Sequence, residues 1–203
     1  MSEEQLAGRV RDHLERSASV KRLAADSCTG AIVSAAKMIA QSFASGGKLM
    51  LCGNGGSAAD CQHVAAEFVS RLSAQLERPG LPAVALTTDT SFLTGYANDY
   101  SYDGVFERQV QALGRPGDTL MGISTSGGSR NVLRALSFGK WIGVKTIALM
   151  GSRGVLAEVA DVIIAVPSEN TQHVQEAHLA IEHIICDLVE RQLYPERSSE
   201  EGS

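Results

Sequence analysis

The spacing of hydrophobic residues changes along the chain, from a helical period near the amino terminus to short continuous runs after residue 47. Leu6, Val10 and Leu14 recur at every fourth position, which predicts an amphipathic helix. A second run, from about 27 to 43, is rich in Ala, Ile and Val and stops just before a Gly-Gly pair. The pattern therefore predicts two helices within the first 46 residues.

The rest of the chain alternates between short apolar runs and longer helical stretches. The apolar runs lack polar alternation, which is typical of strands buried on both faces of a sheet. Strands that alternate with helices form right-handed βαβ units, so the pattern predicts an α/β fold with a parallel sheet. The predicted strands are KLMLC (48–52), AVAL (83–86), TLMGI (119–123), TIALM (146–150) and VIIAV (162–166), and the predicted helices span about 58–72, 91–113 with a break near Asn98, 130–138 and 171–193.

Two loops rich in glycine and hydroxyl groups follow two of these strands and open the next helices. They are GNGGS (53–57) and STSGGS (124–129). In a parallel sheet, ligands bind beyond the carboxyl ends of the strands. Glycine lets the backbone approach an anion, and a helix amino terminus presents free N–H groups to it. Two such loops together favour a site for a phosphate or a polyhydroxylated sugar over two simple turns.

Neither loop carries a complete nucleotide-binding fingerprint. The first loop gives Gly53, Gly55 and Ala58 at the G-x-G-x-x-G spacing. Alanine occurs in some versions of that motif, but no acidic residue closes the next strand to hold a ribose, so a dinucleotide site is the weaker alternative. A P-loop is excluded because no Gly-Lys-Ser/Thr sequence occurs.

Histidines and carboxylates concentrate on two helices. His63 and Glu67 are four residues apart on the helix after the first loop, so they share one face. This spacing suits two ligands of one metal ion, an acid/base pair or an ordinary surface pair. The last helix adds a second group, and spacing alone leaves a catalytic and a structural role equally open. That group is Gln175, Glu176, His178, Glu182 and His183.

Composition narrows the classes of partner. The chain has 203 residues, which predicts a single domain, placed at 1–195, with a polar, disordered tail at 196–203. Lys and Arg number 18 against 23 Asp and Glu, a net charge of −5, and aromatic residues make up 5%. A general nucleic-acid binder needs a positive surface and stacking platforms, so we expect no nucleic-acid partner.

Cysteine usage and the apolar runs point to a cytoplasmic protein. The four cysteines form no CxxC pair, and the charged start MSEEQLAGRVRDHLERS is unlike a signal peptide. No stretch reaches 18 uninterrupted apolar residues, so no membrane span is predicted. We expect four reduced, buried thiols rather than a disulfide framework.

Four motifs in order carry a family resemblance. GNGGSAADCQHVAAEF (53–68), ANDYSYDGVF (97–106), GISTSGGSRNV (122–132) and VPSENTQHVQEAHLAIEH (166–183) together resemble the phosphoheptose isomerases of the sugar-isomerase (SIS) domain superfamily. The resemblance implies a three-layer α/β/α sandwich with a five-stranded parallel sheet and added N-terminal helices, assembled as a homotetramer with active sites shared between subunits. It also implies conversion of sedoheptulose 7-phosphate to D-glycero-D-manno-heptose 7-phosphate through an enediol(ate), the first step of heptose biosynthesis.

The resemblance also implies roles for particular residues. One zinc ion per subunit is expected on His63, Glu67, Gln175 and His183. Glu67 and His183 match the family's acid/base pair, and which of them is the acid is left open. The residues expected to bind substrate are Asn54, Gly55, Gly56, Ser57, Glu67, Asn98, Asp99, Ser124, Thr125, Ser126, Ser129 and Gln175.

Helix geometry adds a prediction about the zinc ligands. Gln175 and His183 are eight residues apart, which is about 12 Å along one helix. Zinc ligands lie about 2 Å from the metal. We therefore predict that these two ligands come from different chains, with the site completed across a subunit interface.

A non-catalytic role is the main alternative. Related SIS-domain adaptors bind the bacterial replication initiator, and the stretch RPGLPAVALTTDT (78–90) is similar to theirs. Those adaptors lack the carboxylate and the histidine found here as Glu67 and His183, and they carry a bulky basic residue where this chain has Ser126. These differences favour the enzyme. A sugar-phosphate-sensing regulator is a third possibility, but no DNA-binding motif is attached.

Overall fold

Five parallel strands form one sheet in the order β2-β1-β3-β4-β5. The computed structural model describes residues 1–73 and 76–195, so the predicted tail lies outside the described part of the chain. All five predicted strands are confirmed to within one residue at each end, because continuous apolar runs are what a doubly covered sheet requires. The strands are β1 (Leu49–Gly53), β2 (Ala83–Ala85), β3 (Thr119–Ser124), β4 (Lys145–Met150) and β5 (Val162–Ala165).

Helices cover both faces of the sheet and give the predicted three-layer α/β/α sandwich. Side chains alternate along each strand, so Leu49 and Leu51 of β1 enter one core and Met50 and Cys52 enter the other. The first core also contains residues of α1, α2 and α6, and the second contains residues of α4 and α5. The helices are α1 (Glu3–Ala44), α2 (Gly56–Val69), α3 (Thr90–Asp99), α4 (Val105–Leu113), α5 (Arg130–Trp141) and α6 (Thr171–Leu193).

The prediction of two N-terminal helices is wrong, because α1 is a single helix of 42 residues. Ser2 caps its start: the Ser2 hydroxyl accepts from Gln5 N–H, and the Ser2 backbone N–H donates to Gln5 Oε1. Its end is followed by Gly46 at φ 79°. No proline interrupts it, so the helical backbone continues from the exposed apolar stripe into the buried one. The stripe near the amino terminus is exposed, and burial begins only at Ser17.

The order of the strands determines where the two loops meet. The chain goes from β1 to β2 on one side and then crosses back to β3 on the other side of β1. β1 and β3 are therefore neighbours whose following connections diverge. Such a reversal opens a crevice at the carboxyl ends of the strands, which is where α/β proteins bind ligands. The two glycine-rich loops follow β1 and β3 and border this crevice.

One helix in the described residues, α1, is long and apolar enough by length and composition alone to cross a membrane. In the fold, 39% of its most apolar window is buried, and the buried side chains belong to the core formed with α6 and the sheet. A core helix passes the same test, so this feature is weak evidence for a membrane span. The four cysteines are free and buried, as predicted.

Candidate functional site

The second loop gathers three serine hydroxyls at the start of α5. Ser124 Oγ lies 2.9 Å from Ser129 Oγ and 3.4 Å from Ser126 Oγ. Ser129 is the N-cap residue of α5, but its side chain makes no capping bond, so the hydroxyl is available to a ligand. Hydroxyl donors and free helical N–H groups together suit a phosphate. The carbonyl of Thr125, the remaining predicted residue of this loop, accepts from Gly151 N–H at 3.2 Å.

The backbone of this loop depends on Gly127. Its φ is 63°, in the left-handed region that favours glycine. A Cβ at this position would lie 2.5 Å from the carbonyl oxygen of Arg153 and 2.9 Å from the Cα of Gly154. A side chain at Gly127 would therefore push the loop away from the segment that follows β4.

Gly127→Ala is expected to lower the free energy of unfolding by about 1–3 kcal/mol and to weaken phosphate binding, since a strained backbone would move the serine hydroxyls. Chemical denaturation and the affinity for a phosphorylated sugar measure the two effects. Gly128→Ala is the matched control, because a Cβ there meets only Ser126 Oγ at 3.8 Å. Equal effects of the two substitutions would contradict this account of the loop.

The first loop is tied to the second by a pair of amides. Gly55 has φ 57° and is the N-cap residue of α2. Asn54 and Asn131, on the first turn of α5, exchange two side-chain hydrogen bonds of 2.9 Å each. The hydroxyl of Tyr102 also donates to Asn54 Oδ1 at 2.9 Å. Asn54 is thus held from two sides.

Asn131 and Tyr102 were not among the residues predicted for the site. Both lie inside the quoted motifs, GISTSGGSRNV and ANDYSYDGVF, and that position is the one signal that points to them. Asn98 and Asp99 lie in the second of these motifs, at the exposed end of α3, where Asn98 donates to Asp99 Oδ1 at 3.1 Å. Their assignment to substrate stays a prediction.

Helices α2 and α6 bring two histidines and a carboxylate together. His63 Nε2 lies 2.8 Å from His183 Nε2 and 3.7 Å from Glu67 Oε1. The two imidazole rings meet edge to face with centroids 5.0 Å apart. Two imidazole nitrogens and a carboxylate oxygen are donors that zinc takes in catalytic sites, so these residues of one chain fit a zinc ion. The same groups also suit proton transfer.

Gln175 lies elsewhere on α6, against the first loop. Its Nε2 donates to Asp60 Oδ2 at 3.1 Å. A Cβ on Gly56 would lie 2.2 Å from that nitrogen, so glycine at 56 lets the amide approach the backbone. Burial raises the pKa of Asp60, and the Gln175 bond and His63 oppose the rise. Three of the predicted zinc ligands, His63, Glu67 and His183, therefore lie together, whereas Gln175 lies beside the first loop. A zinc site shared between subunits stays a prediction.

Glu182, which precedes His183 on α6, is a buried carboxyl. Glu182 is 1% exposed, and neither of its oxygens has a hydrogen-bond partner among the described residues. Burial, and then the charge of Asp60, raise its pKa to about 8.

Ser57, also predicted to bind substrate, is buried in the first turn of α2.

The pKa of Glu182 predicts a pH dependence of stability. Between pH 4.5 and about 8 the folded chain keeps a proton that the unfolded chain has released, so the free energy of unfolding falls as pH rises. We expect Glu182→Gln to remove a slope of up to about 1.4 kcal/mol per pH unit across this window. Urea denaturation at several pH values measures it, with the exposed Glu169→Gln as control. Parallel curves for wild type and Glu182→Gln would show the prediction to be wrong.

The carboxyl end of α2 is held by a buried arginine. The guanidinium of Arg78 donates to the carbonyl oxygens of Glu67, Phe68 and Ser70 at 2.8, 2.8 and 3.2 Å. It also lies 2.6 Å from Glu190 Oε1, and both side chains are nearly closed to solvent. Arg78 therefore fixes the helical turn that carries Glu67.

The class of protein follows from the fold and the site together. A parallel sheet with two hydroxyl-rich loops at its switch point, and a histidine and carboxylate cluster on the helix that leaves the first loop, is an arrangement suited to a phosphorylated sugar. The sequence model of one family, described as the SIS domain, matches residues 13–151. The fold and the site thus define a SIS domain.

More similar relatives narrow the family. A phosphoheptose isomerase of Roseiflexus sp. (strain RS-1) is 51% identical over 188 residues, which are 92% of this chain and 94% of that protein. Solved structures of phosphoheptose isomerases from Neisseria gonorrhoeae and Francisella tularensis superpose with TM-scores of 0.85 and 0.88, at 43% and 35% identity. They cover 91% and 94% of this chain, which itself spans 98% and 100% of theirs. The chain belongs to the phosphoheptose isomerases of the SIS domain family.

Proposed function

We propose that this protein converts sedoheptulose 7-phosphate to D-glycero-D-manno-heptose 7-phosphate in the cytoplasm, as the first step of heptose biosynthesis. The observation that supports the proposal is a histidine and carboxylate cluster on α2, the helix that leaves the first loop, in a chain whose second loop gathers three serine hydroxyls at a helix amino terminus. The family membership supports the isomerase class, and the names of the relatives support the sugar.

Binding of the phosphate is assigned to the second loop. The hydroxyls of Ser124, Ser126 and Ser129 and the free N–H groups at the start of α5 supply donors without a full positive charge. This local attraction for an anion explains how a chain of net charge −5 binds a phosphorylated sugar. Asn54, held by Asn131 and Tyr102, is placed to orient the sugar hydroxyls.

Glu67 and His183 are the pair that we assign to the two proton transfers. One group removes the proton from C1, next to the C2 carbonyl, and an enediol(ate) forms. The proton returns to C2, and the other group moves the proton between the two oxygens. A histidine is suited to such transfers near neutral pH.

We assign a zinc ion to His63, Glu67 and His183, with Gln175 supplied by another subunit. A side chain bound to zinc is not free to take up a proton, so zinc binding and proton transfer are alternative roles for Glu67 and His183 that the chelator experiment below separates. Zinc bound there would polarise the carbonyl oxygen of the substrate. The exposed apolar residues on α1 and α6 support assembly as a homotetramer, because isolated subunits would leave them in water. They include Leu6, Val10, Leu14, Leu179 and Ile184.

Turnover of sedoheptulose 7-phosphate by the purified chain tests the function. We expect the aldose phosphate as product, and loss of activity with a chelator that zinc reverses. Light scattering in the same samples gives the oligomeric state. An assembled protein that forms no product at any metal loading would favour the adaptor instead, and binding to the replication initiator would then be measured.

A further inference from the structure

A second group of metal-binding side chains lies outside the site described above, where the first turns of α6 contact the amino-terminal half of α1. It consists of His13, His173 and Glu176, and one ligand atom of each lies within 4.8 Å of the others. His13 Nε2 is 2.8 Å from Glu176 Oε1, and the two imidazole rings are 4.7 Å apart. Small rotations would bring all three ligand atoms to the 2.0–2.2 Å distances of a zinc ion.

The group is partly shielded from water. His173 is 6% exposed, and Glu176 Oε2 is closed to solvent. Glu176 Oε1 is hydrogen-bonded to the His13 imidazole, and a carboxylate oxygen and an imidazole nitrogen are both ligands that zinc takes.

An open cavity of about 270 Å³ adjoins the two histidines and leaves room for a water or a small anion as a further ligand. Arg9 and Arg16 line it, and Asp12 and Glu176 offset their charge. A free anion is the less suitable occupant of the cluster itself, because Glu176 would repel it.

We propose that His13, His173 and Glu176 form a second binding site for a divalent transition-metal ion of the zinc class. Two imidazoles and one carboxylate, with a position left for solvent, are a donor set that zinc accepts. The site is separate from the first, because His173 and His183 are ten residues apart, about 15 Å along α6, and because the Gln175 side chain contacts Asp60 of α2 whereas Glu176 contacts His13 of α1. A metal here would join α1 to α6, and it requires no part of the isomerase proposal.

Zinc binding to the full-length chain tests this site. In protein stripped with a chelator and carrying His63→Ala and His183→Ala, we expect about one zinc per chain in competition with a chromogenic chelator. Zinc should also raise the melting temperature of this protein. Adding His13→Gln keeps an N–H donor for Glu176 but removes the imidazole, and should weaken zinc binding by at least about tenfold. Glu15→Gln, an exposed carboxylate on the same helix, should leave zinc binding unchanged.

Two outcomes would overturn the proposal. One is a folded double variant that binds no zinc, and the other is a His13→Gln variant that binds zinc as tightly as its parent. The contact between His13 and Glu176 would then only stabilise the packing of α1 on α6. If the double variant fails to fold, the wild-type chain is used, and His13→Gln is expected to lose one zinc per chain relative to it.

Discussion

Glu67→Gln is expected to lower kcat for sedoheptulose 7-phosphate by about 10²- to 10⁴-fold, the contribution typical of a positioned acid or base. Glutamine keeps the size of the side chain and a hydrogen-bonding end, but its amide does not take up a proton at neutral pH. The His63 ring nearby, 3.7 Å from the carboxylate, offers no replacement in the same position. A steady-state assay of kcat and KM measures the effect, and the loss should fall mainly on kcat.

Two further variants test whether this loss is specific. His183→Gln should produce a loss of similar size, since the two groups are proposed to act in one proton-transfer sequence. Asp26→Asn, a substitution at an exposed carboxylate of α1, should leave both constants unchanged. A Glu67→Gln protein with kcat within about threefold of wild type would remove Glu67 from the reaction.

Arg78→Leu is expected to lower the free energy of unfolding by about 3–5 kcal/mol, the usual cost of leaving one partner of a buried ion pair alone. The substitution leaves Glu190 without a counter-charge and removes the guanidinium donor from three carbonyl groups at the end of α2, of which that of Phe68 still accepts from Leu81 N–H. For a chain of this length the melting temperature should fall on the order of 10 °C. Denaturant titration and thermal unfolding measure the two quantities.

Replacing both Arg78 and Glu190 separates the cost of an unpaired buried charge from the cost of losing the hydrogen bonds that Arg78 donates to α2. The double variant Arg78→Leu with Glu190→Leu should recover part of the lost stability, because no buried charge is left unpaired. Arg153→Ala breaks the exposed pair with Glu169 and should cost no more than about 1 kcal/mol. A single Arg78→Leu variant as stable as Arg153→Ala would contradict the role given to Arg78.

The regular elements were predictable where the pattern of buried residues coincides with the element itself. The strands β1 and β3 are buried at every position, so they appear in the sequence as continuous apolar runs. The sequence predicts two helices in place of α1 because its exposed apolar stripe and its buried half form two different patterns, whereas the hydrogen bonds of one helix run through both. Helix continuity depends on the backbone, and no breaker occurs between the stripes.

The residues that support the site were less predictable. Asn131 and Tyr102 both contact Asn54, from 77 and 48 positions away along the chain. Arg78 contacts Glu190, 112 positions away. A polar residue whose partner lies far along the chain gives no periodic signal, so only its position in a motif points to it. Glu182 belongs to the group named on the last helix, but its burial could not be predicted, because that burial comes from the packing of α6 on α2 and the sheet.

The sequence by itself determined the alternation of strands and helices and the two loops rich in glycine and hydroxyl groups, because local backbone preferences and burial patterns are written in consecutive residues. Only the tertiary structure decided that β1 and β3 are neighbours and that His63 meets His183 across 120 positions of the chain. It also decided that His13 meets Glu176. These contacts depend on how whole helices pack on the sheet, which no short stretch of sequence specifies.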